Sequence, residues 1–277
     1  MSRTMIQAAV TMNQLQNKLD LIGHNLANSQ TTGYKSRNTE FSSLLFQQMN
    51  NMTDPANAEG RLTPDGVRIG SGSALGSTNI DLSVGSQTVT DRALDTALTG
   101  DNYLFQIQVN DDGRSEVQYT RDGAFYLNPV ENDNGTLMLT TKNGYPVLGT
   151  NGPIVIDDGF DHIHIEQNGQ IIIQRNQQTE VVGQIAVVEV IRPRLLEIIG
   201  QNAFRLPDVD QLNFNVDEII QPIETTANVL KNGTLENSNV DFNKQMTDLL
   251  ITQRSYQFNA RTISMSDQML GLINQLR

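Results

Sequence analysis

From Met5 onward the apolar side chains fall at Met5, Ala8, Met12, Leu15, Leu19, Ile22 and Leu26, spaced alternately by three and four. That is the seam of a heptad, narrower than the stripe of an ordinary surface helix. Only Arg3, Lys18 and Asp20 are charged before Lys35. The helix is predicted to stop at Asn28–Ser29, where amide and hydroxyl side chains compete for backbone groups, and Gly33 supplies the freedom for a sharp change of direction.

The far end mirrors this pattern. In LENSNVDFNKQMTDLL, Ser238 followed by Asp241 reads as an N-cap with an acid in the first turn. A second seam follows at Met246, Leu249, Gln253, Tyr256, Ala260, Ile263, Asp267, Leu270 and Asn274. Its polar members are of the kind that fix register and partner. Seams of this size barely offset the entropy of ordering their helices, so both ends are expected to be loose in a free chain and ordered in an assembly.

Between the ends the period changes. Residues 42–79 are rich in Gly, Ser, Asn and Thr, with turn signals at Asp54-Pro55 and Pro64-Asp65-Gly66, and read as linker or irregular structure. From about Ile80 to Glu224 apolar and polar residues alternate in YLFQIQV, EVQYT, TLMLT, HIHIE and QIAVVEVI. Asn143-Gly144 and Asn168-Gly169 between such runs signal hairpins. The fold class is therefore α+β: N- and C-terminal helices pairing as a coiled coil, with a central antiparallel β domain. The expected division is 1–29 with 236–277 for the helical part, 30–79 for a linker or inter-subunit segment, and 80–235 for a β-rich outer domain.

Composition narrows the function classes. The 277 residues include 52 Asn and Gln, a polar but uncharged surface that suits close subunit contact. The net charge of −12 is uneven: residues 41–234 carry 25 acidic and 11 basic side chains, whereas the two ends together carry 6 and 8. Nucleic acid is an unlikely partner for such a chain, because phosphate binding needs a concentrated basic face. There is no Cys, which excludes disulfides, thiolate metal sites and a Cys nucleophile. No run of eighteen apolar residues is present, so no direct membrane insertion is expected, and the N-terminus lacks the pattern of a cleavable signal peptide.

Candidate chemistry is sparse. His162 and His164 share one face of a predicted strand near Asp157, Asp158 and Asp161, a set able to hold a metal but better explained as a polar outer face. GSGSALG at Gly70–Gly76 misses the dinucleotide spacing, and the acidic turns at Asp111–Gly113 and Asn132–Gly135 lack the ligands of a calcium loop. No catalytic, cofactor or metal residues are assigned.

The stretch NLANSQTTGYK resembles the signature of the bacterial flagellar rod and hook protein family, filled here by Asn25, Ala27, Asn28, Thr31, Gly33, Tyr34 and Lys35. Leu235-Glu236, Ser238-Asn239-Val240, Gln253-Arg254, Tyr256, Asn259-Ala260 and Asp267-Gln268-Met269 are similar to the same family's C-terminal helix. LDTALTGDNYLFQI, YTRDGAF and NGYPVLG resemble its β-domain landmarks. The resemblance implies a non-enzymatic axial subunit without cofactors, polymerising with itself and with other rod and hook subunits into a helical tube that transmits motor torque and encloses the export channel. It places the chain in the flagellar basal body, outside the cytoplasm, after passage through the flagellar type III export apparatus, with Phe41 and Leu45 matching the family's export-gate spacing. The helix would stop at the edge of the inner tube, and the amide-rich run would pack between subunits.

Within the family, chain length and LTPDGVRIGSG resemble the distal rod members, with proximal rod and hook or hook-junction subunits as alternatives. Tyr103-Leu104-Phe105 replaces the family's Gly-Phe-Phe, which suggests a diverged rod paralogue. Outside the family, two readings remain: a secreted β-domain binding module whose helices merely dimerise, and a metal- or carboxylate-dependent hydrolase at His162 and His164.

Overall fold

Alternating apolar residues become strands in the middle of the chain, and heptad spacing becomes long helix at its ends, in a computed structural model. The structure describes residues 3–39, 41–43, 46–49, 67–70, 73–111, 114–130, 135–200, 202–207, 215–223 and 228–275. The chain divides into two compact units, one of Met1–His24, Asn38–Thr78 and Asn243–Arg277, the other of Asn25–Arg37 and Asn79–Phe242.

The first unit holds most of the two long helices, α1 (Arg3–Ala27) and α2 (Phe242–Gln275). On α1 the buried apolar residues are Ala8, Leu15 and Ile22, one every seven residues. Within residues 42–79, expected to be irregular, the described residues include strands: Phe41–Ser43 pairs antiparallel with Ser73–Leu75, and Phe46–Met49 with Val67–Gly70, while the turn signals at Asp54-Pro55 and Pro64-Asp65-Gly66 lie outside the described residues. In VRIG the β-branched Val67 and Ile69 alternate with Arg68 and Gly70, a two-residue period that the surrounding turn residues obscure.

α2 begins at Phe242, later than the capping signal at Ser238 predicts. The reason lies in the preceding residues, which belong to the second unit and are held extended there. Asn237 N–H donates to Ser86 O, the Asn239 side chain donates to Asp81 O and Ser83 O, and Ser238 Oγ accepts from Val240 N–H in a tight local turn.

In the second unit, apart from the two-residue strands Asn79–Ile80, Leu148–Gly149 and Gly152–Pro153, the strands are β1 (Gln87–Val89), β2 (Thr96–Leu98), β3 (Tyr103–Asp111), β4 (Arg114–Thr120), β5 (Phe125–Pro129) and β6 (Thr136–Thr141). They are followed by β7 (Val155–Asp157), β8 (His162–Ile165), β9 (Gln170–Arg175), β10 (Gln178–Gln184) and β11 (Val187–Val190). The last are β12 (Glu197–Ile199), β13 (Ala203–Arg205), β14 (Ile220–Pro222), β15 (Leu230–Asn232) and β16 (Thr234–Glu236). An antiparallel six-stranded sheet runs β12-β13-β4-β3-β11-β14. Two three-stranded sheets, β5-β6-β7 and β8-β9-β10, accompany it, and β15 and β16 pair back onto β2 and β1.

The six-stranded sheet is buried on both faces at its centre, which is why the alternation over Phe105–Val109 of β3 is preceded by the unbroken apolar run Tyr103-Leu104-Phe105. Phe105, Ile107 and Val109 face one cluster with Phe125, Leu139, Ile156 and Ile171, and Leu104 faces another with Tyr119, Val188, Phe204 and Ile220. Phe105 meets Phe125 edge to face, with ring centroids 5.1 Å apart. The mixed architecture, terminal helices with a β-rich middle, agrees with the class that the sequence predicts.

Candidate functional site: a buried clasp at the chain crossing

The residues after the last turn of α1 leave the helix through consecutive tight turns: Ser29 N–H donates to Leu26 O, Thr31 N–H to Asn28 O and Tyr34 N–H to Thr31 O. Asn25 then fixes the reversal. Its Nδ2 donates to Arg37 O at 2.8 Å and its Oδ1 accepts from Arg37 N–H at 3.0 Å, so one amide side chain takes the place of a strand partner. The same Oδ1 accepts from the Tyr34 hydroxyl at 2.9 Å, and Tyr34 is fully buried. Burial raises the Tyr34 phenol above its usual pKa, only partly offset by the charge of Arg37.

Gly33 occupies φ +67°, where its N–H donates to Glu236 O at 2.9 Å. A Cβ there would lie 2.5 Å from the Asp122 backbone nitrogen, so both the conformation and the space demand glycine. The next residue but one brings a charge inside. Lys35 Nζ lies 2.6 Å from Glu236 Oε1, and Arg121 Nε lies 2.7 Å from Glu236 Oε2, all three side chains being at most 1% exposed. The remaining valences are filled by backbone: Gly85 N–H donates to Glu236 Oε1, Lys35 to Ser83 O, and Arg121 to Tyr103 O and Gly100 O. Buried charges persist only when paired and hydrogen-bonded in this way.

Two cations thus share one carboxylate. Burial pulls the Lys35 ammonium down to about 8; the neighbouring Arg121 charge pushes the same way, against Glu236 and Asp81. Around this hub, Ser36 N–H donates to Asn239 Oδ1, Arg37 Nη2 to Gly200 O, and the Thr32 hydroxyl to Asp122 Oδ1. The segment Asn25–Arg37 is therefore a strap fastened to the β unit. This arrangement fixes direction and order in the backbone; it offers no reacting group open to a substrate.

Of the residues predicted to form the family motif, Asn25, Asn28, Gly33, Tyr34 and Lys35 are buried, Thr31 is half-buried and Ala27 is exposed. Glu236, Arg121 and Asn239 were not predicted as site residues, although Arg121 sits in the quoted YTRDGAF and Glu236 and Asn239 in LENSN. In the helices, Met5, Met12, Leu19 and Leu26 are half-buried beside the buried Ala8, Leu15 and Ile22. On α2, Leu249, Tyr256, Ala260 and Ile263 are half-buried while Met246, Gln253 and Leu270 are exposed; the buried positions are Gln245, Thr252 and Ser266. Leu45 lies outside the described residues, and Phe41 is described only by its backbone strand.

His162 and His164 stand exposed on β8. Among the described residues no group of three His, Asp or Glu is placed to hold a metal ion, and no helix is long and apolar enough to cross a membrane.

Comparison with known proteins bears on the whole chain. Residues 7–35 match the family described as "Flagella basal body rod protein", residues 97–173 "Flagellar hook protein FlgE/F/G D1 domain", and residues 231–276 "Flagellar basal body rod FlgEFG protein C-terminal". The chain is 41% identical over 280 residues to the flagellar hook-basal body complex protein FlhP of Bacillus subtilis, covering all of both chains. It is 33% identical over 283 residues to the flagellar basal-body rod protein FlgG of the same organism, again covering all of both chains. To FlgG of Caulobacter vibrioides it is 32% identical over 272 residues, covering 98% of this chain and 97% of the other. The strap, the β unit and the C-terminal helix thus each carry a matched family segment, and the chain belongs to the flagellar basal-body rod and hook protein family, as a structural subunit of the basal-body rod.

Proposed function

We propose that the chain is a distal-type rod subunit that polymerises head to tail into a helical tube, its terminal helices pairing as a coiled coil in the inner wall and its β unit facing outward. The pairing uses Met5, Ala8, Met12, Leu15, Leu19, Ile22 and Leu26 on α1 with Met246, Leu249, Gln253, Tyr256, Ala260, Ile263 and Leu270 on α2. Heterologous contacts that do not close generate such a filament. The observation that carries the reading is on α2: Ile251, Phe258, Met265 and Leu272 recur every seven residues and remain between 54% and 70% exposed in the single chain. A sustained apolar row of that kind is an unfilled helix-packing face. The subunit is non-catalytic and reaches its place through the flagellar type III export apparatus, with Phe41 and Leu45 as the gate motif.

A second reading within the family is a paralogue at another axial level, proximal rod or hook junction. It is favoured by the higher identity to FlhP than to FlgG of the same bacterium. Immunogold labelling of isolated hook–basal bodies with an antibody against the β unit tests both. Label confined to the distal rod is the expected result; label at the proximal rod or hook would keep the family and change the level. Absence of label from intact and disrupted basal bodies would overturn the proposal.

A further inference from the structure

The strap and the strand it lies against are not equivalent. β16 has a seat of its own: Thr234, Leu235 and Glu236 pair with Val89, Thr88 and Gln87 of β1, and the Glu236 carboxylate meets Arg121 and the Gly85 N–H. None of these contacts requires the strap. Residues 32–37 are held to the β unit by bonds that span a similar or greater length of chain, against 115 residues from Glu236 to Arg121 and 151 to Gly85. Lys35 is 201 residues from Glu236, Ser36 is 203 from Asn239, Arg37 is 163 from Gly200 and Thr32 is 90 from Asp122.

Electrostatics makes the order stricter. Without Glu236, docking would bury the Lys35 ammonium beside the Arg121 guanidinium with carbonyl oxygens of Ser83, Tyr103 and Gly100 as their hydrogen-bond partners. Two like charges in a site from which water is excluded repel strongly, and the weaker pull of Asp81 does not replace the paired and hydrogen-bonded carboxylate that offsets their desolvation. The seat for Gly33 is likewise made by the Glu236 carbonyl on one side and the Asp122 backbone on the other.

We propose that the Asn25–Arg37 strap is a completion latch: it closes last, and only after residues 234–239 have taken their place on the β unit. Both seatings are non-local, so loop-closure entropy delays both, and their order follows from the dependence of one on the other. Here the dependence is one-way, since β16 seats without the strap and the strap does not seat without β16. A chain that emerges N-terminus first therefore keeps its first helix uncoupled from the β unit until residue 239 is available. The coupling of the two is a readout that the chain is present through residue 239.

Pulse-labelled hydrogen exchange during refolding of the full chain from urea, read by mass spectrometry on peptides, tests the order. Protection is expected first in β3 and β4, then in residues 230–239, and last in residues 33–37. Protection of 33–37 in the same phase as 230–239, or earlier, would overturn the proposal. In native-state exchange of Glu236→Gln, protection of Gly33, Ser36 and Arg37 should be lost altogether while β3 stays protected, its exchange rising only with the lower stability of the whole unit; loss of protection in β3 as well would show a common core and not a latch. Lys35→Met, which leaves the Glu236–Arg121 pair intact, should loosen the strap while β16 stays protected; loss of protection in β16 as well would contradict the one-way dependence. Should Glu236→Gln not fold, the refolding order of the natural chain and the Lys35→Met pattern decide by themselves.

Discussion

A single carboxylate, that of Glu236, accepts bonds from Lys35, Arg121 and Gly85 inside a site closed to water. Removing one member of a buried ion network leaves the others uncompensated, which costs about 3–5 kcal/mol. Glu236→Gln is accordingly expected to lower the unfolding free energy of the β unit by about that amount, measured by urea titration with circular dichroism. Lys35 gives a second expectation, with a definite sign. Its folded pKa, about 8, lies below the 10.5 of an ordinary lysine. Below pH 8 both states hold the proton and the cost of burying it is constant; between 8 and 10.5 the unfolded chain holds more of it, so this group's contribution to stability rises with pH. Tyr34 and Tyr119, raised by burial, act oppositely from pH 10 upward, where the unfolded state loses their protons first. The rise should therefore be visible between pH 8 and about 9.5, and Lys35→Met should abolish it.

Individual elements differ in how openly the sequence displays them. α1 was legible because Met5 to Leu26 keep a strict alternation of three and four. Asn168-Gly169 correctly marks the hairpin from β8 to β9, with Gly169 at φ +86°. The adjoining hairpin from β9 to β10 went unmarked, since its two-residue turn is Asn176-Gln177, at φ 51° and 64°, without a glycine. Left-handed backbone costs a side chain about 1–2 kcal/mol, so Gln177→Gly should stabilise the β unit by about 1 kcal/mol, seen as a higher denaturation midpoint. α2 was legible as a helix, but its most buried positions carry no apolar period. The positions buried in the single chain are the polar Gln245, Thr252 and Ser266, each one residue before Met246, Gln253 and Asp267 of the predicted seam. The clasp was least legible of all. Its charges stand at 35, 121 and 236, where no local period links them, and only the resemblance of the flanking motifs to a known family drew attention to the segments that carry them.

At the scale of the molecule, the clasp decides where the β unit begins and ends. Its compact boundaries enclose Asn25–Arg37 and run to Phe242, so the strap belongs to the β unit and not to a linker. A chain of residues 25–242 should keep the strand content and cooperative unfolding of that unit while losing the capacity to polymerise, measured by circular dichroism and sedimentation. Polymerisation of that fragment would remove the terminal helices from the assembly role proposed for them. The same division explains the charge distribution: the acidic side chains gather in the β-rich middle, and near-neutral, amide-rich segments form the ends.

The register of the strap also has a mechanical side. Gly33 bonds to Glu236, Ser36 bonds to Asn239, and Lys35 reaches back to Glu236, so the two segments run in the same direction. One leads back to α1 at its upstream end; the other leads on to α2 at its downstream end. A pull on the two helices therefore draws the segments past each other lengthwise, and the bonds between them are strained together instead of one after another. Such a joint behaves like a riveted overlap, not like a zipper: stiff up to a limit, then yielding at once.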